Sequence, residues 1–151
     1  MAIRPDVLLG HRFAELRQSY GARDAILYAL GVGLGADPCD EAELAYLLET
    51  RLSVLPTFAV TLASPGMWIR DPAFGVDFPK LVHSAQDARF HAPLPAHAEV
   101  KAIPRVTALD DRGTGKGAVL VVERDIRDAA SERSYATVRQ TLLLRGDGGF
   151  G

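Results

Sequence analysis

The sequence predicts an α+β fold in which an antiparallel β-sheet wraps around one central apolar helix. The first observation is the stretch VLPTFAVTLA at residues 54–63, where Pro56 suits a first helical turn and the residues after Thr57 are nearly all apolar. A helix of that composition is apolar on nearly every side and has to be buried. The second is that the hydrophobic period changes to two from Leu81 onward, which is typical of strands with one buried face.

A short apolar run such as residues 54–63 could equally form a core strand, because periodicity does not separate the two structures over so few residues. The helix is the favoured interpretation, since the strands that follow need something apolar to pack against. The predicted sheet and the predicted helix therefore depend on each other.

Length, charge and cysteine content limit the function classes. With 151 residues, the chain is expected to form a single domain over residues 1–151 that buries about two thirds of its unfolded surface. The formal charge is -2, from 17 basic and 19 acidic residues without a basic stripe, which argues against nucleic acid as a partner. Cys39 is the single cysteine, so an internal disulfide is excluded and a reducing compartment is expected. No apolar stretch has the length of a signal peptide or a membrane span, so we expect a cytoplasmic protein without membrane contact.

The first half of the chain predicts one helix followed by a glycine-rich loop. Residues 10–20 predict a short strand or an extended lead-in. In RDAILYAL, residues 23–30, apolar residues recur at helical spacing, and Asp24 lies at the positive end of the helix dipole. The segment GVGLGADP at residues 31–38 holds three glycines and ends at a proline, which predicts a tight loop.

Three other segments are less regular. Residues 41–51 fit either a helix or a strand, and residues 64–80, with three prolines, predict an excursion anchored by Trp68 and Phe78. The final RGDGGFG, residues 145–151, predicts a glycine-rich tail with nothing to pack against, and we expect a linker to start there.

The second half predicts an antiparallel meander. Apolar and charged residues alternate over residues 98–108, which indicates a half-buried strand, and Pro104 indicates an edge or a bulge. The turn DDRGTGKG at residues 110–117 leads into the β-branched run 118–126, and DAASE then turns the chain into a last strand over residues 134–144.

Two glycine motifs do not indicate nucleotide binding. Gly31, Gly33 and Ala36 match the spacing G-x-G-x-x-A, but a dinucleotide fingerprint follows a strand and opens a helix, whereas this one follows a predicted helix. The GTGKG at residues 113–117 has neither the upstream glycine nor the hydroxyl residue of a Walker loop. It predicts a hairpin turn.

The residues alone do not predict a complete active site. His83, at the start of a strand and three residues before Gln86, is the one candidate general base. A lone histidine on a strand is more often structural than catalytic. For Asp24, a role in the first turn of a helix is favoured over a role as an active carboxylate. No metal site is expected, because the other histidines show no ligand spacing; they are His11, His91 and His97.

Five segments of the chain occur in the order found in a known family. They are RDAILYALGVGLGADP (23–38), LPTFAV (55–60), LVHSAQ (81–86), APLP (92–95) and RGDGGFG (145–151). As a set they are specific, and the chain resembles the N-terminal half of the peroxisomal-type 2-enoyl-CoA hydratase 2, a MaoC-like dehydratase with a hot-dog fold. The resemblance implies a long central helix in the apolar stretch, wrapped by an antiparallel sheet.

In that family the chemistry belongs to a second hot-dog half, which has a pattern close to Y-R-L-S-G-D-x-N-P-L-H after its first helix. Aligning Tyr28 and Leu30 with this pattern puts Gly33 where the acid would be, Gly35 at the asparagine and Pro38 at the histidine. The resemblance therefore implies that the catalytic Asp and His are absent from this chain.

The resemblance also implies what this half contributes, namely a pairing surface and a wider tunnel for the acyl chain. The His-Gly that usually opens the catalytic helix is replaced by Pro56-Thr57, and the family's His-Gly-Glu-Gln reads His83-Ser84-Ala85-Gln86, which argues against a catalytic role for His83. The residues expected to bind the substrate are Tyr28, Leu55, Pro56, Thr57 and Phe58.

The function implied is that of the acyl-chain-accommodating half of an (R)-specific 2-enoyl-CoA hydratase, a lyase of fatty acid metabolism that needs a catalytic hot-dog half. Its substrate is a CoA thioester, and no cofactor is implied. The expected partner is a second copy of the chain or a catalytic MaoC-like domain. The alternatives are a noncatalytic acyl-CoA-binding or scaffold subunit and a hot-dog thioesterase.

Overall fold

Six strands form one antiparallel sheet in the computed structural model, which describes residues 2–151. The sheet order is β1-β3-β5-β6-β2, and β4 pairs with β5 beyond the end of β3. The strands are β1 Leu16–Tyr20, β2 Leu81–Phe90, β3 Ala98–Ala102, β4 Arg105–Asp111, β5 Ala118–Asp128 and β6 Ser134–Leu144.

Alternation of side chains builds the second half of the sheet as predicted. Every second residue of β5 and β6 faces the core, and the turn before β5 is closed by the Arg112 N–H, which donates to the Gly117 carbonyl at 3.0 Å. Pro104 lies between β3 and β4, where it interrupts the strand and lets both pieces pair with β5. The predicted meander is confirmed.

Three α-helices precede β2 along the chain: α1 Pro5–Gly10, α2 Ala22–Gly31 and α3 Glu41–Leu44. The predicted helix over residues 23–30 is α2, and Asp24 accepts the Gly21 N–H at 2.9 Å, so this carboxylate caps the helix. α1 is not among the predicted elements. Within residues 2–151, no helix has the length and apolar character needed to cross a membrane.

Short 3₁₀ turns occupy the segments that the sequence left irregular. Residues 41–51 contain the short helix α3 and one 3₁₀ turn, separated by residues 45–48. Residues 64–80 contain three such turns, with Trp68 and Phe78 packed against the core as predicted. The 3₁₀ turns are Glu49–Arg51, Pro56–Thr61, Trp68–Arg70, Pro72–Phe74 and Phe78–Lys80.

The apolar stretch is helical, but it is a six-residue 3₁₀ turn, Pro56–Thr61, and not the long helix that the resemblance implies. Phe58 is buried, whereas Pro56 and Thr57 are exposed, so the turn is not buried all round. The Thr61 hydroxyl donates to the Phe58 carbonyl at 2.9 Å, Leu62 has extended backbone, and Ala63 has a φ of 44°. The helical segment therefore ends at Thr61, after two 3₁₀ turns of three residues each.

The core forms two clusters on the inner face of the sheet. The first surrounds the Pro56–Thr61 turn, and the second lies under α1 and the turns of residues 68–80. The first includes Phe58, Leu62, Val100, Ile126 and Val138; the second includes Leu8, Ile69, Phe74, Leu120 and Leu144.

Arg124 ties the Pro56–Thr61 turn to the sheet. Its side chain lies on the inward-facing register of β5 and the residue is only 4% exposed. Nε donates to the Leu62 carbonyl at 3.1 Å, and a terminal nitrogen donates to the Val60 carbonyl at 2.6 Å. Burial lowers the pKa of Arg124. The guanidinium therefore satisfies carbonyls that the short turn leaves without a helical partner.

Residues 145–151 pack against the domain, so the expectation that they have nothing to pack against is wrong. The Asp111 carboxylate accepts the backbone N–H groups of Gly149, Phe150 and Gly151 at 2.6–2.8 Å, and that of Gly113 at 2.8 Å. The Phe150 ring also packs against the second core cluster. A carboxylate with four donors on one hairpin fixes a glycine-rich segment whose composition resembles a linker.

The buried position of Phe58 gives a first prediction. Phe58→Asp places an unpaired carboxylate in the first core cluster and should lower the free energy of unfolding by several kcal/mol (about 3–5), measured by chemical denaturation. Thr57→Asp is the matched control, because Thr57 is exposed and should change stability by less than about 0.5 kcal/mol. Equal stability of the two variants would contradict the packing of the turn.

Asp111 gives a prediction about pH. Four backbone donors lower the pKa of Asp111 from 3.8 to about 2, so its contribution to stability is present above pH 3.8 and is lost as the pH falls toward 2. Thermal melts between pH 5 and pH 2 should therefore show a smaller acid-induced loss for Asp111→Asn than for the wild-type chain. Asp110→Asn, at an exposed neighbour, should retain the wild-type dependence. A parallel decline in all three proteins would contradict the role of Asp111.

Candidate functional site

Two tyrosine rings pack against Phe58 of the Pro56–Thr61 turn. The Phe58 ring makes an edge contact with Tyr20 at 5.2 Å between centroids and a tilted contact with Tyr28 at 5.3 Å. The Tyr20 hydroxyl donates to the Pro95 carbonyl at 2.8 Å, and burial raises the pKa of Tyr20. Tyr20 is thus a fixed neutral donor, and the ring cluster holds Phe58 in one place.

The structure brings together some of the predicted substrate-binding residues and spreads the others along the turn. Tyr28, on α2, contacts Phe58, which belongs to the first core cluster, and is itself half-buried against that cluster. Leu55 is half-buried, while Pro56 and Thr57 are exposed at the start of the turn. Solvent exposure therefore increases across the five residues, from the buried Phe58 ring to the exposed Pro56 and Thr57.

Three large apolar side chains are exposed on α2 and at its C-terminal end, namely Leu27, Leu30 and Val32, which we call the α2 patch. Their exposed fractions are 54%, 49% and 55%. Large apolar side chains exposed in sequence neighbours on one element are typical of a surface that contacts a ligand or a partner. The side chains of the α2 patch offer an alkyl chain apolar contacts and no polar group.

The loop after α2 carries glycine at two positions that need it. Gly33 and Gly35 have φ of 103° and 88°, a left-handed region that side chains rarely adopt. A Cβ on Gly35 would lie 2.9 Å from the Leu47 side chain, and the Gly35 N–H donates to Glu43 at 2.7 Å. Packing and backbone geometry therefore select residues here that carry no titratable group.

His83 lies apart from any acid that could form a catalytic pair with it. It is exposed on β2, and its Nε2 lies 3.1 Å from the carbonyl of Ala85 on the same strand. Within residues 2–151, no hydrogen bond or ion pair joins His83 to a carboxylate. Gln86, three residues on, donates instead to the Arg139 carbonyl at 2.9 Å.

The other histidines have structural contacts. His11 stacks on Trp68 at 5.3 Å between ring centroids, and His91 Nε2 lies 2.8 Å from the Thr137 hydroxyl. No group of three or more metal-ligating side chains converges within the part of the chain that the structure describes.

Sequence reasoning missed the buried cation beside the site. Arg124 occupies an inward-facing position between Val122 and Ile126, in a run that reads as apolar and β-branched. The alternation of residues along the strand could have revealed it, because Arg124 falls on the core side. A charged residue there needs buried hydrogen-bond partners.

The comparison with family models decides the family. Residues 18–146 match the model described as the MFE-2 hydratase 2 N-terminal domain. The chain belongs to this family. The structural neighbours of the chain confirm the predicted hot-dog fold. In this chain, that fold has the antiparallel sheet, the short apolar turn and the glycine loop described above.

Similar proteins extend well beyond this chain. It is 32% identical to the enoyl-CoA hydratase ChsH3 of Mycobacterium tuberculosis over 100% of this chain and 53% of that protein. Among solved structures, a MaoC-like dehydratase from Phytophthora capsici superimposes with a TM-score of 0.74 at 21% identity, covering 98% of this chain and 51% of its own. The chain thus spans about half the length of the curated relatives it matches.

A second solved structure has a chain of similar size. The HadBC complex of Mycobacterium tuberculosis, a 3R-hydroxyacyl-ACP dehydratase, matches with a TM-score of 0.60 at 20% identity, covering 87% of this chain and 96% of that one. The likeness at this identity concerns the fold.

Gly35 gives a prediction for the site. Gly35→Ala requires a left-handed alanine and a close contact with Leu47, so it should lower the free energy of unfolding by about 1–2 kcal/mol. Gly31→Ala is the control, because Gly31 ends α2 with open space around a Cβ and alanine favours a helix. Chemical denaturation that ranks Gly31→Ala below Gly35→Ala would contradict this description of the loop.

Proposed function

We propose that this chain is the acyl-chain-accommodating half of an (R)-specific 2-enoyl-CoA hydratase and that a second, catalytic hot-dog domain supplies the acid and the base. One observation carries the proposal: the loop after α2, in a member of this hydratase family, has glycine and proline where the catalytic pattern has its titratable residues. Gly33 stands where that pattern has its acid and Pro38 where it has its histidine, while Gly35 stands at its asparagine. Neither residue type can transfer a proton.

The reaction adds water across the Cα=Cβ bond of a trans-2-enoyl-CoA to give a (3R)-hydroxyacyl-CoA. It needs an acid/base pair near both carbons and hydrogen-bond donors that polarise the thioester carbonyl. No cofactor takes part in this scheme. The catalytic domain provides those groups, and this chain provides the apolar surface for the alkyl end of the substrate.

The residues of the apolar turn have distinct roles in this proposal. Tyr28 and Phe58 form the wall against the alkyl chain, supported by their mutual ring contact. Leu55, Pro56 and Thr57 form the rim, where their exposure leaves them accessible to a ligand. Each methylene buried there contributes about 0.8 kcal/mol, so longer substrates gain most.

The proposed partner is a catalytic MaoC-like hot-dog domain, either on another chain or in a further part of the same protein. Two findings support it: this chain spans about half the length of its relatives, and a chain of similar fold occurs in the HadBC complex. We propose the cytoplasm as the compartment, consistent with a lone exposed cysteine, Cys39.

A noncatalytic acyl-CoA-binding or scaffold subunit is the second candidate. The exposed α2 patch favours it, because a surface that binds an alkyl chain serves this role without any catalytic partner. The two candidates differ in one respect: only a hydratase half alters turnover when a catalytic domain is added.

Turnover therefore tests the proposal. The purified chain should not hydrate crotonyl-CoA or longer enoyl-CoA thioesters, followed by loss of the enoyl absorbance in the ultraviolet, because loss of one positioned acid/base group typically costs about 10²–10⁴ in rate and two are missing. Addition of a catalytic MaoC-like domain should restore turnover, with a preference for longer chains than that domain shows by itself.

His83 provides the control for this assay. Strong activity of the isolated chain that His83→Ala abolishes, and that Ser84→Ala at the adjacent exposed position leaves intact, would overturn the proposal and identify His83 as the base. An unchanged chain-length profile on mixing, with acyl-CoA binding retained, would favour the binding-subunit alternative.

A further inference from the structure

A cleft of about 510 Å³ separates residues 11–13 from the start of β4. Among the described residues, no backbone hydrogen bond joins residues 11–13 to residues 103–107, so strand pairing does not close the space between them. Val106 lines the cleft and packs against the second core cluster, whereas Phe58 of the proposed acyl site lies in the first. A volume of this size suits a small organic molecule and exceeds what a single ion needs.

One wall of the cleft is aromatic. His11 and Phe13 line it, and both are half-buried, so a ligand can reach part of each residue. Trp68 supports them: it stacks on His11 with the ring planes 9° apart, and it meets the Phe13 ring edge-on at 4.8 Å between centroids. The three rings therefore form a fixed apolar surface against which a planar aromatic group can pack.

The other wall exposes an apolar side chain. Ile103 lies in the link between β3 and β4, lines the cleft and is 52% exposed. The next residue, Pro104, also lines the cleft and is fully buried, and its ring restricts the backbone from which Ile103 projects. The cleft thus has apolar groups on both walls, as small-molecule sites usually do.

The charged groups of the cleft are all positive. Arg12 and Arg105 line it and are exposed, and within residues 2–151 none of its lining residues is acidic, although the whole chain carries a charge of -2. Among residues 2–151, Arg12 is in no ion pair with nitrogen and oxygen within 4.0 Å. Arg105 places one terminal nitrogen 3.0 Å from Glu123, which leaves its other N–H donors available. Two guanidinium groups beside an apolar cleft favour a ligand that carries a phosphate.

We propose that this cleft binds an aromatic phosphate ester, the chemical class to which nucleoside monophosphates belong. The planar group of the ligand lies against His11 and Phe13, and Ile103 contacts it from the other wall. Arg12 and Arg105 donate hydrogen bonds to the phosphate oxygens, for which the planar guanidinium group has the matching geometry.

This inference goes beyond the proposed function, because the cleft contains none of the residues proposed to bind the acyl chain. Its test uses neither a thioester nor turnover. Trp68 is the single tryptophan of the chain, and its contacts with His11 and Phe13 make its fluorescence a local probe of the cleft. Titration with adenosine 5′-monophosphate should change this fluorescence in a saturable way, and isothermal titration should give the same dissociation constant.

Two fragments of the probe separate the apolar and the charged parts of the cleft. Adenosine lacks the phosphate, and inorganic phosphate lacks the planar ring. Each should bind at least about tenfold more weakly than adenosine monophosphate, because each loses one of the two sets of contacts.

Substitutions at exposed positions test the individual contacts. Arg12→Gln and Arg105→Gln should each raise the dissociation constant for adenosine monophosphate roughly tenfold, because charge-assisted hydrogen bonds are lost. Ile103→Ser should weaken the binding of adenosine and of its monophosphate alike, because it removes an apolar contact. Arg112→Gln is the matched control, since Arg112 is exposed and lies outside the cleft, and it should leave binding intact.

Several results would overturn the inference. Neither a fluorescence change nor heat of binding at millimolar adenosine monophosphate would exclude the site. Inorganic phosphate that binds as tightly as the nucleotide would indicate an adventitious ion only, and adenosine that binds as tightly would exclude the role of the two arginines. Unchanged binding by both arginine variants, folded by circular dichroism, would place the ligand elsewhere on the protein.

Discussion

The two hydrogen bonds that Arg124 donates to carbonyls of the apolar segment are the interaction on which the rest of this structure depends. A buried guanidinium is expensive unless its hydrogen-bonding capacity is used, and here the carbonyls of Val60 and Leu62 receive it. Those carbonyls lie in the last part of the turn and just after it, where no further helical residue follows to satisfy them. A cation from the sheet and a polar end of the turn thereby stabilise each other, and Phe58 packs into the first core cluster as a result.

Charged groups elsewhere in the chain also hold backbone. Asp24 caps α2, Asp111 accepts four N–H groups, and Asp147 is buried and accepts the N–H of Asp77 at 3.1–3.2 Å. Burial raises the pKa of Asp147, while the donors around Asp111 lower its pKa, so similar carboxylates are shifted in opposite directions by their surroundings. This use of charge for architecture agrees with a half that binds an alkyl chain and leaves proton transfer to a partner.

The sequence predicted those elements that follow from local periodicity. β6 begins and ends at the predicted residues, and α2 matches within one residue at each end, because alternation and helical spacing are strong over these lengths. The length of the apolar helix and the fate of residues 145–151 depend on contacts distant in sequence, from Arg124 and Asp111, and no local pattern contains them. At the site, Tyr28 and Phe58 do meet, but their joint role rests on the family resemblance and not on spacing.

We propose that the turn and α2 bind an acyl chain without reacting with it. Isothermal titration of the isolated chain with butanoyl-, hexanoyl- and octanoyl-CoA tests this most directly, because saturated thioesters cannot be hydrated. The dissociation constant should fall several-fold for each methylene that becomes buried, as about 0.8 kcal/mol per methylene requires. An affinity that does not change with chain length would show that only the CoA moiety is recognised and would exclude an acyl-binding role for the turn and α2.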